Sequence, residues 1–221
     1  MERKLFLGIL SVTLVALAIA LLLPGGRTPD REPRLPWLIE VNELGALKVF
    51  GITLGESTLQ QARENLQDQG KVTLFQSPEG QYRTEAYFQR LFLSGLKADL
   101  VLTLAVGVNE AQEMFERGER ISQMGSGTRK IELSSRDLEA LSQAPVASIT
   151  FIPAADLDAD LLSGRFGEPA RRVKETGSEI VHWLYPERGL DIALNPDGKE
   201  VFQYVKPADF GQLTEPLTGQ E

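Results

Sequence analysis

The 221-residue chain contains no cysteine and only one histidine, His182. Without cysteine it can form no disulfide, no zinc–thiolate site and no catalytic thiol, and it cannot be a lipoprotein anchored through a modified cysteine. One histidine cannot build a multi-histidine metal site, and a Ser-His-Asp triad would lack the G-x-S-x-G motif that supplies the serine. We therefore interpret His182 as a packing or surface residue.

An excess of basic residues is also absent. The chain has 23 Lys and Arg against 31 Asp and Glu, a net charge of −8. With no basic cluster in the sequence, this balance argues against binding to nucleic acid or to an anionic membrane surface. The sequence predicts no nucleic-acid partner.

Two partial motifs do not supply the chemistry they suggest. The loop at Gly125-Ser126-Gly127 lacks the spacing of a phosphate-binding P-loop. The acidic run from Asp156 to Asp160 lacks the glycine and the glutamate of a calcium loop, so it predicts the start of a helix, where acidic residues are favoured. We therefore predict no catalytic residue, no cofactor and no metal site.

The longest apolar segment runs from Leu5 to Leu23, nineteen residues without a charge. At about 1.5 Å per residue, a helix of this length crosses a hydrocarbon core of roughly 30 Å. Ala18-Ile19-Ala20 resembles a signal-peptide cleavage site, but the apolar run continues beyond it, so we favour an uncleaved anchor over residues 1–26. A signal-like segment ahead of a long domain predicts a single-pass protein of the cytoplasmic membrane with its domain on the periplasmic side. Export to the periplasm after cleavage is the alternative.

The composition of the rest of the chain indicates four regions. Residues 27–44 begin with a proline-rich stretch that cannot form a regular helix, and they are predicted to be a spacer. Residues 45–130 and 131–207 are predicted to be two α+β modules, and the polar residues 208–221 a flexible tail.

Hydrophobic periodicity predicts short helices packed on an antiparallel sheet. An S-x-x-Q capping box at Ser57–Gln60 begins the first helix, and Leu59, Ala62 and Leu66 share one of its faces. The predicted strands are residues 47–54, 71–76, 81–93, 96–106, 129–133, 146–152, 170–175, 179–185, 190–194 and 200–205. Further helices are predicted at 109–120, from Ser134 or Ser135 to Leu141, and at 156–163.

The last third of the chain resembles a known family. A short helix, Phe166-Gly167-Glu168-Pro169, a strand ending in Trp183-Leu184-Tyr185-Pro186 and a turn at Asp197-Gly198-Lys199 make up the pattern over residues 161–205. It is similar to small outer-membrane-assembly lipoproteins of the SmpA/OmlA type and to β-lactamase-inhibitor-protein-like modules. Residues 51–58 resemble the opening of such a module, so the chain is read as a degenerate tandem pair over 45–106 and 146–206. The resemblance implies a non-enzymatic, protein-binding module of the cell envelope.

Four aromatic residues in one strand-rich stretch form the candidate partner surface: Tyr82, Tyr87, Phe88 and Phe92. Tyr82, Phe88 and Phe92 have the same parity in a regular strand, and Tyr87 has the other. One set is therefore expected to face the core and the other to lie on the surface, where exposed aromatic residues favour partner binding.

These observations favour a membrane-anchored, non-catalytic envelope module that binds or scaffolds other proteins. An envelope hydrolase that uses paired carboxylates is the first alternative, and it requires two acids that converge in a cleft. A carrier of a small ligand or lipid is the second, and it requires an apolar cavity.

Overall fold

The computed structural model describes residues 33–218, which form thirteen strands, five α-helices and two 3₁₀ turns. The strands are β1 (Glu40–Val41), β2 (Leu47–Val49), β3 (Ile52–Thr53), β4 (Lys71–Gln76), β5 (Tyr82–Leu93), β6 (Leu96–Leu104), β7 (Arg120–Gln123), β8 (Arg129–Glu132), β9 (Val146–Pro153), β10 (Arg171–Lys174), β11 (Val181–Tyr185), β12 (Leu190–Leu194) and β13 (Val201–Tyr204). The helices are α1 (Leu59–Leu66), α2 (Val108–Glu116), α3 (Ser135–Leu141), α4 (Ala159–Phe166) and α5 (Gly211–Thr218). The predicted α+β class with a mostly antiparallel sheet is confirmed.

The apolar segment Leu5–Leu23 lies outside the described residues. Between residues 33 and 218, no helix combines the length and the apolar character needed to cross a membrane.

Ten strands form one antiparallel sheet in the order β10-β11-β12-β13-β9-β6-β5-β4-β8-β7. Two meanders, β4-β5-β6 and β10-β11-β12-β13, each follow a helix in the sequence. Strand β9 lies between them and pairs with β13 on one side and β6 on the other. The meanders are therefore parts of one continuous sheet. Strands β1, β2 and β3 form a separate small sheet.

One face of the large sheet carries the main core. Paired residues keep the same face across the strands, as in the row Trp183, Ile192, Phe202, Phe151, Leu100 and Phe88, all buried. Apolar residues of α1, α2, α4 and the small sheet belong to the same buried cluster. We call this side of the large sheet the core face and the opposite side the outer face.

An aromatic cluster joins the small sheet to the large one. Phe50 stacks on Phe151 of β9 with ring centroids 5.1 Å apart, and it meets Tyr204 of β13 edge-on at 5.7 Å. Phe151 in turn packs against Phe202 at 5.4 Å. Such aromatic pairs contribute about 0.5–1.5 kcal/mol beyond their burial.

The single strand predicted over residues 47–54 is wrong, because Phe50 and Gly51 form a two-residue turn between β2 and β3. Both residues have positive φ angles, 53° and 75°, as a type I′ turn requires. Phe50 is a rare residue in that conformation, and the packing of its ring in the aromatic cluster offsets the strain. Asn65 also donates a hydrogen bond of 2.7 Å to the Phe50 carbonyl.

The predicted apolar face of α1 is confirmed, since Leu59, Ala62 and Leu66 are all buried. The capping box lies one residue later than predicted. Thr58 accepts from the Gln61 amide, and the Gln61 side chain accepts from the Thr58 amide. The sequence contains both S-x-x-Q and T-x-x-Q at this point, so the spacing alone does not distinguish them.

The predicted spacer over residues 27–44 is wrong in its described part. Tyr204 Oη donates a buried hydrogen bond of 2.9 Å to the Pro36 carbonyl, and Arg34 donates to the Asn65 carbonyl at 2.7 Å. Trp37 packs on the core and meets Phe166 edge-on. Residues from Arg34 onward therefore belong to the folded unit.

The flexible tail predicted over residues 208–221 is also wrong as far as residue 218, because α5 occupies residues 211–218. Leu213 and Leu217 of this helix pack against a second apolar cluster, formed by Leu184, Val205 and Phe210. Leu184 lies on the outer face, since it pairs with Asp191 and alternates with the core-face residue Trp183. Helix α5 therefore contributes to covering the β11 part of the outer face.

We predict that Phe50→Ala lowers the free energy of unfolding by about 3–5 kcal/mol, because it removes a buried aromatic side chain and leaves a cavity. Urea unfolding followed by circular dichroism measures the change. The matched control is Phe92→Ala, whose side chain is 70% exposed, and it should change the value by no more than about 0.5 kcal/mol. Equal losses in the two variants would contradict a central role for Phe50.

Candidate partner-binding face of the sheet

The outer face of strands β4, β5, β6, β9 and β13 is a broad surface that solvent reaches. Core-face residues on these strands are mostly buried, whereas the outer-face residues are half-buried or exposed, apart from Thr73. The half-buried and exposed side chains are Lys71, Phe75, Arg83, Glu85, Tyr87, Phe92, Lys97, Asp99, Val101, Thr103, Ser148, Thr150, Ile152, Val201 and Gln203.

A row of short and β-branched side chains forms the centre of this face. Tyr87 pairs with Val101, Val101 with Thr150, and Thr150 with Gln203 across four adjacent strands. Val101 and Thr150 have no long side chain that would project into solvent, so the surface between Tyr87 and Gln203 is low and accessible. A partner could therefore contact the middle of the sheet.

The structure separates the four predicted aromatic residues. Phe88 is completely buried on the core face, and Tyr82 packs against the core beside Phe115, with ring centroids 5.8 Å apart. Tyr87 lies on the outer face and is 37% exposed, and Phe92 is 70% exposed. Only Tyr87 and Phe92 can therefore take part in the proposed surface.

The parity argument is wrong for Phe92 because β5 contains a bulge. Phe88 pairs with Leu100 and Leu91 with Ala98, so Gln89 and Arg90 together oppose the single residue Asp99. The extra residue reverses the alternation, and Phe92 emerges on the outer face beside its partner Lys97. Arg90 has a φ of 55°, but nothing in its residue type predicts this conformation.

The fold gathers cations on the outer face of an acidic protein. Lys71, Arg83, Arg90 and Lys97 come from β4, β5 and β6, and Lys199 joins them just before β13. Two acids, Glu85 and Asp99, lie on the same strands. Acidic, polar and apolar residues separate these cations in the sequence, and Lys199 is distant from the others, so no basic cluster is visible there. The face has a positive excess, whereas the whole chain has a net charge of −8.

Depressions border the face on several sides. One has a volume of about 490 Å³ and lies between the outer-face residues Phe75, Arg83 and Glu85 and the β7–β8 turn at Met124 and Ser126. Burial raises the pKa of Glu85, although Arg83 lies 3.7 Å away and opposes the shift. A notch of about 240 Å³ lies at the β5 bulge.

A further depression lies between the sheet and the residues around α5. It has a volume of about 180 Å³, and its lining includes Thr103 and Ser148 of the sheet and Gln212 of the helix. The outer face thus has side walls as well as a floor, and these walls would orient a bound partner.

The outer side of β11 and β12 contains a buried histidine–aspartate pair that sequence reasoning missed. His182 Nδ1 and Asp191 Oδ2 are 2.7 Å apart, and both side chains are buried. His182 Nε2 and Asp191 Oδ1 are also buried and have no hydrogen-bond partner in the described part of the chain. The hydrogen bond with Asp191 raises the pKa of His182 against the opposing effect of burial, and burial raises the pKa of Asp191.

The pair has the features of a structural element more than of a reacting one. Asp191 pairs across the sheet with Leu184, and His182 pairs with Val173, and both apolar residues belong to the cluster associated with α5. Burial of Nε2 keeps this ring nitrogen out of contact with solvent. An acid alternating within the apolar strand 190–194 was the sequence signal for this pair.

Two carboxylates meet in one surface pocket, near α4. Glu168 and Glu187 line a pocket of about 380 Å³ with Tyr185 and Arg188. Glu168 is 74% exposed in its side chain and forms a salt bridge of 2.7 Å with Arg172. This carboxylate is exposed and already paired with a cation, so it is poorly suited to act as a general acid. No group of three or more potential metal ligands occurs among residues 33–218.

We predict that His182 makes stability depend on pH above about 6.5. The folded state holds the imidazole proton more tightly than the unfolded state, so the contribution is complete below the unfolded pKa of about 6.5. It is lost as pH rises through the higher folded pKa. The free energy of unfolding of the wild type, measured in urea from pH 6 to pH 9, should therefore fall relative to that of His182→Gln. Parallel curves for the two proteins would contradict this linkage.

Comparison with known proteins assigns no family to the chain. No family model, no curated protein and no solved structure matches it.

Proposed function

We propose that this protein is a membrane-anchored, non-catalytic module of the cell envelope that binds an acidic protein through its outer face. The observation that carries the proposal is the half-exposed central row from Tyr87 to Gln203, with a positive excess around it. The core face buries its apolar side chains beneath helices, so the large outer face is the part of the sheet left for recognition.

Charge defines the class of partner. Outer-face cations such as Lys71 and Arg83 attract an acidic surface and speed the encounter with it, although exposed pairs add only modest affinity. Tyr87, Val101 and Phe92 would provide an apolar area from which water is removed at the centre of the interface. An acidic partner with apolar residues among its acids matches both features.

The membrane location comes from the sequence. The apolar run Leu5–Leu23 is long enough to span a bilayer, and its position favours a single pass with the folded unit on the periplasmic side. We further interpret the two helix-plus-meander units, α1 with β4–β6 and α4 with β10–β13, as degenerate tandem modules joined by β9. On this interpretation, each unit corresponds to one of the envelope binding modules that the sequence resembles.

A photo-crosslinking experiment tests the binding face. A benzophenone amino acid placed at Val101 in the full-length chain, in its native cells, should give a discrete protein adduct. The same group at Glu64, an exposed residue of α1 on the helical side, is the matched control and should not give that adduct. An identical adduct pattern at both positions would contradict the proposal.

Charge reversal tests the nature of the partner. We expect the double variant Lys71→Glu and Arg83→Glu to reduce the Val101 adduct roughly tenfold, because like charges then face the acidic partner. Arg136→Glu, an exposed cation of α3, should leave the adduct unchanged. A loss in the control equal to that in the double variant would show that total charge, and not this face, controls binding.

Protease shielding tests the location. In intact spheroplasts, externally added protease should degrade the folded unit if it lies on the periplasmic side, and a cytoplasmic marker should stay intact. Protection of the chain until the membrane is permeabilised would overturn the proposed orientation.

A further inference from the structure

We infer that the notch at the β5 bulge binds a carboxylate of the partner, at an acidic residue next to an apolar one; this inference rests on the proposed function. The notch has a volume of about 240 Å³, and its lining includes Arg90, Lys97, Asp99 and Lys199. Three cations therefore surround one acid at a single point on the outer face.

The acid in the notch is already satisfied by its own neighbours. Asp99 Oδ2 accepts a hydrogen bond of 2.7 Å from Tyr87 Oη, and Oδ1 accepts one of 2.7 Å from the backbone amide of Arg90. These hydrogen bonds and the charge of Lys199 hold the pKa of Asp99 below its ordinary value, although burial alone would raise it. Asp99 remains an anion and fixes the bulge, while the notch keeps an excess of positive charge.

The three cations of the notch differ in whether their side chains already form hydrogen bonds. Lys199 Nζ donates to the carbonyls of Pro153 and Ala154 at 3.2 and 2.7 Å, which holds the ammonium at the edge of the notch. The side chains of Arg90 and Lys97 form no hydrogen bond or salt bridge within residues 33–218. The charge of Arg90 acts on Asp99, but an incoming carboxylate would find these donors without a hydrogen bond that it must replace.

The backbone at Arg90 is an independent observation. A left-handed φ of 55° is costly for most residues other than glycine, asparagine and aspartate. Phe50, Gln67 and Ser94 also have positive φ, but they lie at turns or at a helix end, whereas Arg90 lies within β5. A bulge also redirects the side chains of its strand. Here it places the Arg90 side chain in the notch and brings Phe92 to the outer face opposite Lys97.

The apolar neighbours indicate a carboxylate on a polypeptide. Phe92 is 70% exposed and pairs with Lys97, and Ile152 pairs with Asp99 and lines the notch. An ion such as free phosphate would use the cations alone. A peptide whose acidic residues alternate with apolar ones would contact the cations and Phe92 together.

The test uses a fluorescein-labelled hexapeptide of alternating Glu and Val, with the purified full-length chain in mild detergent and fluorescence anisotropy as the readout. Arg90→Asn removes the cation but retains a residue that tolerates positive φ, so it should preserve the bulge. Combined with Lys97→Gln, it should weaken peptide binding about tenfold, because two charged donors are lost. Phe92→Ala should also weaken it, and Arg136→Gln should have no effect. The thermal unfolding midpoint of each variant verifies folding.

Competition distinguishes a peptide site from a simple anion site. Inorganic phosphate should displace the peptide only weakly, and a Gln-Val hexapeptide should bind at least about tenfold less tightly than the Glu-Val peptide. The inference would be overturned if Arg90→Asn/Lys97→Gln left the peptide affinity unchanged. It would also be overturned if phosphate bound as tightly as the peptide and Phe92→Ala had no effect on peptide binding. A Val101 adduct that persists at full yield in Arg90→Asn/Lys97→Gln would refute the notch but leave the proposed function standing. If the chain with benzophenone at Val101 and no other change gave no adduct, the proposed function itself would be refuted.

Discussion

The pairing of β9 on both of its edges is the constraint on which the rest of the structure depends. Hydrogen bonds to β6 on one side and β13 on the other join two meanders that would otherwise each end in an open edge. The same strand supplies Phe151 to the aromatic cluster that holds the small sheet. The continuous outer face exists only because this strand joins the two parts of the sheet.

The two faces of the large sheet have different roles. Helices and the small sheet cover the core face, where apolar side chains pack in rows, and this burial provides most of the stability. The outer face is covered in part, with α5 near β11, and so its remaining surface carries small, polar and basic side chains. Stability and recognition therefore depend on different sets of residues, and outer-face substitutions can be expected to alter binding without unfolding the protein.

Local sequence patterns predicted the elements better than their connections. The alternation in Val146–Pro153 and the helical spacing of Leu59, Ala62 and Leu66 reflect burial on one face, which is a local signal. The turn at Phe50-Gly51 and the bulge at Arg90 depend on distant partners, Phe151 and Asp99, which no local pattern reveals. Strand β7 escaped prediction because all four of its residues are exposed and show no alternation.

The candidate site shows the same limit. Tyr87 and Phe92 were recognised as aromatic residues, but they share a face of the sheet only because of the bulge. The cations from β4 to Lys199 lie on one face only because of the order of the strands in the sheet.

The left-handed backbone at Arg90 also restricts how this protein can diverge. Glycine, asparagine and aspartate fit that conformation with little strain, so a descendant that abandons the arginine has few alternatives there. The narrow choice at this position would leave a recognisable mark in any set of orthologues, even where the rest of the strand has changed.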